Sequence, residues 1–240
     1  MKKIIYLTVI IFFTSFICSI TSCMDNLPVK GNGAIIKKEI QLTEFDKIEL
    51  DGIFKVILKQ GDQAKLEVET DENLLDCLRA DVSNSTLKIK LKKPVHSTHG
   101  INIYVTFNKI SNIAVAGHTY AISSDKLNFD RLDVAVSGTS KMIAEINAVS
   151  LNMEASGNSS VIFSGNVFSA DITASGTANF DAANMNIDDL DLSASGNAAA
   201  IVNVITTFDV SASGNAKVLY KGTPEMEESV SGSASVNKKY

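Results

Sequence analysis

The chain has 240 residues and a formal net charge of −5; 45% of its residues are hydrophobic, only 7% are aromatic, and it has no tryptophan. Its 22 Lys and Arg are outnumbered by 27 Asp and Glu, so it lacks the basic surplus typical of nucleic-acid binding, and we expect no nucleic-acid partner. The length suffices for one domain or two closely joined halves.

Residues 1–22 have the pattern of a secretory signal peptide. Lys2 and Lys3 form a short basic region, and an apolar run ends before small residues and Cys23. The segment Ile20-Thr21-Ser22-Cys23 resembles a bacterial lipobox, which predicts that Cys23 is acylated and attaches the mature chain to a membrane. The alternative is an uncleaved membrane anchor. Asp25 resembles the export signal of surface lipoproteins, and either face of the outer membrane fits the pattern.

Residues 23–33 are predicted to form a polar, lipidated tether with Pro28, Gly31 and Gly33. Residues 34–109 are rich in strand patterns but not regular. A hairpin-like turn is expected at Gly61-Asp62, and a short capped helix is expected to begin at Asp71. The predicted strands are 47–50, 54–59, 65–69, 86–90 and 102–107.

Cys77 would be the single cysteine left after processing, because Cys18 leaves with the signal peptide and Cys23 carries lipid. We therefore expect no intramolecular disulfide. Cys77 follows Leu74 and Leu75, a context typical of a small buried apolar residue rather than of a reactive thiol.

A motif built on Ser-Gly recurs through residues 110–240. Its glycines are 19, 19, 20, 18 and 18 residues apart, and Gly117 lies 21 residues before the first of them. Regular self-similarity at this period is typical of a solenoid. We interpret each glycine as a corner where stacked coils turn, because glycine adopts positive φ and permits close backbone approach. The predicted corner glycines are Gly138, Gly157, Gly176, Gly196, Gly214 and Gly232.

Apolar residues alternate with polar ones before each glycine, which predicts a β-strand with one face inward. The fold class is therefore an all-β solenoid with about 18–21 residues per coil. The degraded last coil, with Lys238 and Lys239, is expected to protect the open end from edge pairing. The predicted inward residues are Val134, Val136, Met153, Ile172, Leu190, Leu192 and Val210.

An acidic residue recurs five positions before most of the glycines. Stacked coils would place Asp133, Asp171, Asp191 and Asp209 in one column, where like charges repel. The column is either a solvated acidic stripe, which we favour, or a calcium site, since Ca²⁺ prefers oxygen ligands.

No catalytic motif stands out. The sequence has no Gly-x-Ser-x-Gly elbow and no phosphate-binding Gly-Lys-Ser/Thr. His96, His99 and His118 have the context of solvated residues, and alternating lysines such as Lys88 and Lys90 that of a solvated strand face. We expect no enzyme activity, no metal and no cofactor.

Several short motifs together resemble the GIN-domain family, which is catalogued as adhesin heads of autotransporter-like proteins and is common in Bacteroides-group bacteria. The resemblance spans about residues 34–239 and implies a β-solenoid of the right-handed β-helix type in one domain, 34–240. The motifs are Leu50-Asp51-Gly52-Ile53-Phe54, Gln60-Gly61-Asp62, Thr70-Asp71-Glu72-Asn73-Leu74, Gly100-Ile101-Asn102, Tyr220-Lys221-Gly222-Thr223-Pro224 and the repeated Ser-Gly coils.

Three functions follow as hypotheses. The first is an envelope lipoprotein that acts as an adhesin or non-catalytic binding module for a glycan or for an extracellular or envelope protein. The second is a structural scaffold of the envelope that self-associates as a homo-oligomer. The third, which we favour least, is a polysaccharide-active β-helix enzyme, since no cluster of basic and acidic residues marks a catalytic face.

Overall fold

The architecture is that of a β-solenoid of about seven turns. The computed structural model describes residues 27–239, so the predicted signal peptide, Cys23 and Asp25 lie outside the described residues. A 3₁₀ helix spans Glu72–Cys77, and no described helix has the length and apolar character needed to cross a membrane. The strands are β1 (Val29–Lys30), β2 (Ile35–Ile40), β3 (Lys47–Gly52), β4 (Lys55–Gln60), β5 (Lys65–Asp71), β6 (Leu78–Ser83), β7 (Thr86–Leu91), β8 (Val95–His96), β9 (Asn102–Phe107), β10 (Asn112–Gly117), β11 (Tyr120–Ser123), β12 (Leu127–Val136), β13 (Lys141–Ala155), β14 (Ser160–Ala174), β15 (Asn179–Ala194), β16 (Ala199–Ala212), β17 (Lys217–Lys221), β18 (Glu225–Val230) and β19 (Ser235–Lys238).

The first coil consists of β3 and β4. Strand β3 lies between β7 and β10, and β4 lies between β9 and β11, with all four pairings parallel. Three antiparallel pairs close the N-terminal end: β2 with β5, β5 with β9, and β6 with β7. The hairpin predicted at Gly61-Asp62 is wrong, because β9 lies between β4 and β5 and pairs with both. Strand β7, which carries Lys88 and Lys90, lies between β3 and β6.

Residues 29–33, which the sequence assigns to the tether, are held against the domain. Strand β1 pairs parallel with β8, and Asp71, whose side chain is buried, fastens the segment that follows. Asp71 accepts hydrogen bonds from the Gly33 amide at 2.8 Å and the Ser97 hydroxyl at 2.6 Å. It also accepts from the amide and hydroxyl of Thr98 at 3.0 and 2.7 Å. Asp71 precedes the 3₁₀ helix as predicted, but its side chain does not cap that helix.

The regular coils stack in parallel register from β12 to β16, and their inward side chains form continuous columns. Val134, Met153, Ile172, Leu192 and Val210 occupy equivalent positions in successive coils. All seven residues predicted to face inward are buried, which confirms that part of the sequence analysis. Cys77 is also buried, as predicted, and is not in a disulfide.

The Ser-Gly segments form the turns where one coil leads into the next. From Gly138 to Gly232 the six glycines have φ between 71° and 73°, a region that L-residues with side chains disfavour. The amide that follows each glycine donates to the glycine carbonyl one coil earlier, as Asn197 does to Gly176 at 2.7 Å. A Cβ on Gly176 would lie 2.9 Å from the Gly157 oxygen. The column continues through Gly117 to Gly52, so the first coil shares the same corner.

The C-terminal end of the solenoid is open. Strand β18 pairs with β16 and β19 pairs with β17, and within the described residues no strand covers their outer edges. Exposed Glu225, Glu227 and Glu228 line β18, and Lys238 ends β19. Charged side chains on an edge discourage further strand pairing.

Candidate functional site

A row of asparagine side chains runs along the solenoid, away from the glycine corner. Each side-chain amide Nδ2 donates to the Oδ1 of the asparagine one coil earlier, at 3.2, 3.2, 3.0 and 2.8 Å. Hydrogen-bonded amide rows of this kind are typical of in-register stacked strands. We call this row the asparagine ladder, and it consists of Asn128, Asn147, Asn166, Asn186 and Asn203.

The ladder does not use all the hydrogen-bonding capacity of its amides. A primary amide has two N–H donors and two carbonyl lone pairs. An inner member such as Asn166 uses one donor and one lone pair within the ladder. One N–H and one lone pair per coil therefore remain for a ligand, on residues that lie at the surface.

Beside the ladder, the strand pairing skips one residue in most coils. Strands β13 and β14 pair Ala148 with Val167 and then Ser150 with Ser169. Val149 and Phe168, which lie between these pairs, are skipped and protrude. Phe168 and Ser169 are both exposed, so the alternation of inward and outward side chains is interrupted there, as at a bulge. The residues two positions after each ladder asparagine form the outer column: Asp130, Val149, Phe168, Asp188 and Ile205.

A groove of about 940 Å³ lies along the ladder and the outer column. It begins where the irregular N-terminal part meets the regular coils, with Asp46 and the loop 108–111 on one side, and it extends as far as Asn186 and Asp188. Phe168 and Val149, which line it, are 58% and 59% exposed. A volume of this size is in the range of small-molecule and oligomer sites.

Gln60 closes the N-terminal end of the groove. Its Nε2 donates to the carbonyl oxygens of Asn128 at 3.0 Å and Asn108 at 3.3 Å. Its Oε1 accepts a hydrogen bond from the backbone N–H of Asn128 at 2.9 Å. Gln60 thus joins the end of β4, the loop after β9 and the first residue of the ladder.

The groove is mixed in charge. Its lining includes the carboxylates of Asp46, Asp130 and Asp188 and the cations of Lys109 and Arg131. Arg131 is also 3.2 Å from Asp133, outside the groove. Neither histidine nor cysteine is among the lining residues.

The residues predicted as sites from the sequence lie elsewhere. The corner glycines are at the other turn of each coil. Asp133, Asp171, Asp191 and Asp209 do share one register position, with Asn152 between the first two. Within residues 27–239, no group of three or more His, Cys, Asp or Glu side chains is arranged to hold a metal ion. The calcium hypothesis for this column stays a prediction.

One carboxyl of this acidic column, that of Asp191, has a shifted pKa. Partial desolvation, and then repulsion from Asp171 and Asp209, raises the pKa of the Asp191 carboxyl. A shallow hollow of about 280 Å³ with Glu227 and Glu228 lies at the C-terminal end of the column.

The lysines and histidines singled out in the sequence make local contacts. Lys88 and Lys90 lie 3.1 and 2.9 Å from Glu49, and the hydrogen bond from Lys90 lowers the pKa of the Glu49 carboxyl. His118 is within 2.8 Å of the Thr139 hydroxyl, and His99 is 3.9 Å from Glu69.

The asparagine ladder is not among the features predicted above, although the sequence contains a signal for it. Asn128, Asn147, Asn166 and Asn186 each lie ten residues before a corner glycine, and Asn203 lies eleven before. An asparagine at a fixed distance from the corner in five coils predicts a stacked amide row as directly as the glycines predict a stacked turn.

Comparison with known proteins identifies relatives of this chain. The family profile described as "putative auto-transporter adhesin, head GIN domain" matches residues 44–224. A crystal structure of a putative adhesin from Bacteroides fragilis has a TM-score of 0.81 at 20% identity, over 88% of this chain and 99% of that one. A putative lipid binding protein from Parabacteroides distasonis has a TM-score of 0.76 at 23% identity, over 89% of this chain and 100% of that one.

A putative adhesin from Parabacteroides merdae has a TM-score of 0.74 at 19% identity, over 88% of this chain and 99% of that one. None of these three structures is described as that of an enzyme. At these identities the likeness concerns the fold. No curated protein matches the chain.

Proposed function

The chain belongs to the "putative auto-transporter adhesin, head GIN domain" family, and on that premise we propose that it is a non-catalytic, adhesin-like binding module of the cell envelope. Its ligand lies in the groove along the asparagine ladder. The observation that carries this proposal is the pairing of outward amide groups with the exposed side chains of Phe168 and Val149 in one groove.

Adjacent exposed apolar side chains that are rimmed by polar groups mark binding surfaces, whereas single exposed apolar residues are ordinary. Phe168 and Val149 protrude in adjacent coils, and Asn147, Asn166 and Asn186 of the same groove supply the polar rim. These features support binding, and the adhesin-like description of the family supports a role without catalysis.

The envelope location is part of the same proposal. It is supported by the adhesin-like family and by the signal-peptide and lipobox patterns that precede the described residues. Cys23 would anchor the protein in the outer membrane through its acyl chains, and the groove would face the exterior.

A scaffold that assembles end to end is the second candidate, and the free edges of β18 and β19 favour it. Another copy would add its strands there. Glu225, Glu227 and Glu228 oppose the addition, because copies that met at this edge would bring like charges together.

The test has two parts and uses intact cells that express the protein. Protease shaving of wild-type cells, with a lysed control and a Cys23→Ala variant, measures exposure. We expect the wild-type protein to be cut on intact cells and the variant to be lost from the membrane fraction. Cleavage only after lysis would contradict an adhesin role.

The second part measures adherence of the same cells to surfaces coated with mucin, collagen or a plant cell-wall extract. We expect the Phe168→Ala variant to reduce adherence on at least one coating, while Ile205→Ala leaves it unchanged. Ile205 occupies the same outer column but does not line the groove. Equal adherence of both variants and wild type on every coating would contradict the assignment of the groove.

A further inference from the structure

We infer that the groove binds a neutral, extended polysaccharide, with successive sugar residues lying along the asparagine ladder. The inference rests on the proposed function and names the chemical class of its ligand. The amide pattern and the exposed apolar pair of the groove fit this class, and the charge balance and the strand pairing disfavour other classes.

The hydrogen-bonding pattern of the ladder matches sugar hydroxyls. Each coil presents one free amide N–H and one free carbonyl lone pair, and coils repeat about every 4.8 Å along the solenoid. A hydroxyl both donates and accepts, so it satisfies such a pair at once. A polymer with hydroxyls at regular intervals would meet an equivalent pair in each coil from Asn128 to Asn186.

Phe168 and Val149 supply the apolar part of the site. They protrude in adjacent coils at the unpaired positions of the outer column, beside the ladder. The C–H face of a pyranose ring is apolar and weakly positive, and it packs against the negative face of an aromatic ring. The ladder would then reach the hydroxyls at the edge of the same sugar.

The charges of the groove disfavour anionic polymers. Three carboxylates line it against two cations, Lys109 and Arg131. A polyuronate, a nucleic acid or an anionic lipid surface would place further negative charge beside Asp130 and Asp188, without the excess of cations that such ligands require. A neutral polymer needs only hydrogen bonds, which Asp130 and Asp188 can also accept.

The strand pairing excludes one mode of peptide binding. A peptide that binds as an added strand needs a free sheet edge. Strands β13, β14 and β15, which form the centre of the groove, are paired on both sides. Contacts along the groove therefore come from side chains, as in polysaccharide recognition.

The experiment uses the purified full-length chain in detergent micelles and titration calorimetry. The probes are four neutral β-1,4-linked hexasaccharides: cellohexaose, xylohexaose, mannohexaose and chitohexaose. Hexagalacturonate and phosphatidylcholine vesicles test the anionic and lipid alternatives.

We expect at least one neutral hexasaccharide to bind, with Kd about tenfold weaker in Phe168→Ala because the stacking surface is lost. The Phe168→Tyr variant, which keeps the ring, should stay within about threefold of wild type. The matched control Ile205→Ala should be unchanged.

The inference is overturned if none of the neutral hexasaccharides binds, or if Phe168→Ala binds them as tightly as wild type. It is also overturned if hexagalacturonate or the vesicles bind in a way that depends on Phe168 while the neutral sugars do not. Adherence that depends on Phe168 without sugar binding would remove only the inference about the ligand. Absence of surface exposure would instead contradict the proposed adhesin role itself, and absence of Phe168-dependent adherence would contradict the assignment of the groove.

Discussion

The N-terminal part, residues 27–109, and the regular coils, residues 110–239, belong to the same solenoid but are held together by different means. The regular coils repeat a backbone hydrogen bond at the glycine corner, and most of them also repeat the side-chain hydrogen bond of the asparagine ladder. The N-terminal part uses side-chain contacts that occur once, such as the buried carboxylate of Asp71 and the pairing of Glu49 with Lys88 and Lys90.

Because of this difference, the destabilisation caused by a substitution should spread further in the regular coils than in the N-terminal part. In a stack of similar coils each unit is stabilised by its two neighbours, so a defect in the middle weakens both. In the N-terminal part a single lost contact frees only the segments that it joins. Substitutions in each part can therefore test this contrast.

A charge in the middle of the stack should disrupt the regular coils. Ile172 is fully buried between Met153 and Leu192, and Ile172→Asp places an unpaired carboxylate there. We expect a loss of about 4 kcal/mol or more in the free energy of unfolding, measured by urea denaturation. Thr173→Asp, on the exposed side of the same strand, is the control. Equal midpoints for Ile172→Asp and wild type would refute the register.

A side chain at the corner should cost less than a buried charge. In Gly176→Ala the new Cβ meets the Gly157 oxygen, and the residue must keep φ at +71°. We expect a loss of about 2–3 kcal/mol in the free energy of unfolding, because alanine is strained in the left-handed region and the coils must separate slightly. Ser175→Ala, one residue earlier, should stay within about 0.5 kcal/mol of wild type.

Removal of the Asp71 carboxylate should loosen the N-terminal segment rather than the coils. Hydrogen bonds, led by that from Ser97, hold the pKa of Asp71 well below its usual range. Its stabilising effect is therefore complete above the usual carboxyl pKa of about 4 and is lost as the pH falls below it. Asp71→Asn should lower the melting temperature at pH 7, and the difference from wild type should shrink in acid.

Limited proteolysis gives the second measurement on Asp71. The Asp71→Asn variant should be cleaved faster within residues 27–34, while the regular coils stay resistant. Asp76→Asn, at an exposed position of the 3₁₀ helix, is the control. Faster cleavage throughout the coils would contradict the localised effect that we expect in this part of the molecule.

Interruption of the asparagine ladder should have a modest effect. Asn166→Ala removes one donated and one accepted hydrogen bond, for an expected loss of about 1 kcal/mol at the surface. Asn203→Ala, at the end of the ladder, removes one bond and should cost less. Asn179 is an exposed asparagine outside the ladder, so Asn179→Ala is the control. If Asn166→Ala and Asn179→Ala have the same free energy of unfolding, the ladder does not contribute to stability.

Removal of one charge from the acidic column should give the smallest change in the free energy of unfolding. Unlike the other substitutions, it should stabilise the protein. Because the pKa of Asp191 is raised in the folded state, its charged form destabilises the fold above the usual carboxyl pKa. Asp191→Asn should stabilise the protein by about 0.5 kcal/mol at pH 7 in low salt and by less in high salt. Asp62→Asn is the control. The measurement is the melting temperature as a function of pH and salt.

Calcium decides between the two hypotheses for the column. If Asp171 and Asp191 bind Ca²⁺, the ion should raise the melting temperature of the wild type and not that of the Asp171→Asn, Asp191→Asn double variant. Unchanged melting temperatures of both proteins with calcium would exclude the metal site.

The regular coils were predictable from the sequence because each turn repeats the same local pattern. The corner glycines and the inward residues from Val134 to Val210 follow from that pattern alone. The pairing of β9 between β4 and β5 was not predictable in this way, because it joins segments that share no repeat. Asp71 is a similar case, since its partners Gly33 and Thr98 are distant in sequence and its local context suggested a helix cap instead.

The candidate site was predictable only in part. The asparagine ladder has a sequence signal at a fixed distance from the corner, but the exposure of Phe168 does not. A strict alternation of inward and outward residues cannot place both Phe168 and Ser169 at the surface. The skipped residue between paired strands is a property of stacked coils in three dimensions, and Val149 and Phe168 line the groove at these positions.

The contacts of β1 and Asp71 would have a mechanical consequence if the protein is anchored at Cys23 and holds a ligand in its groove, as we propose. Tension between the two points would then act first on the two-residue pairing of β1 and β8 and on the hydrogen bonds of Asp71. Their release would let residues 29–34, which span at most about 20 Å when fully extended, align with the direction of the tension while the parallel coils remain intact. The N-terminal segment would then lengthen under pull and shorten again when the pull ends, so that the attachment yields before the fold does.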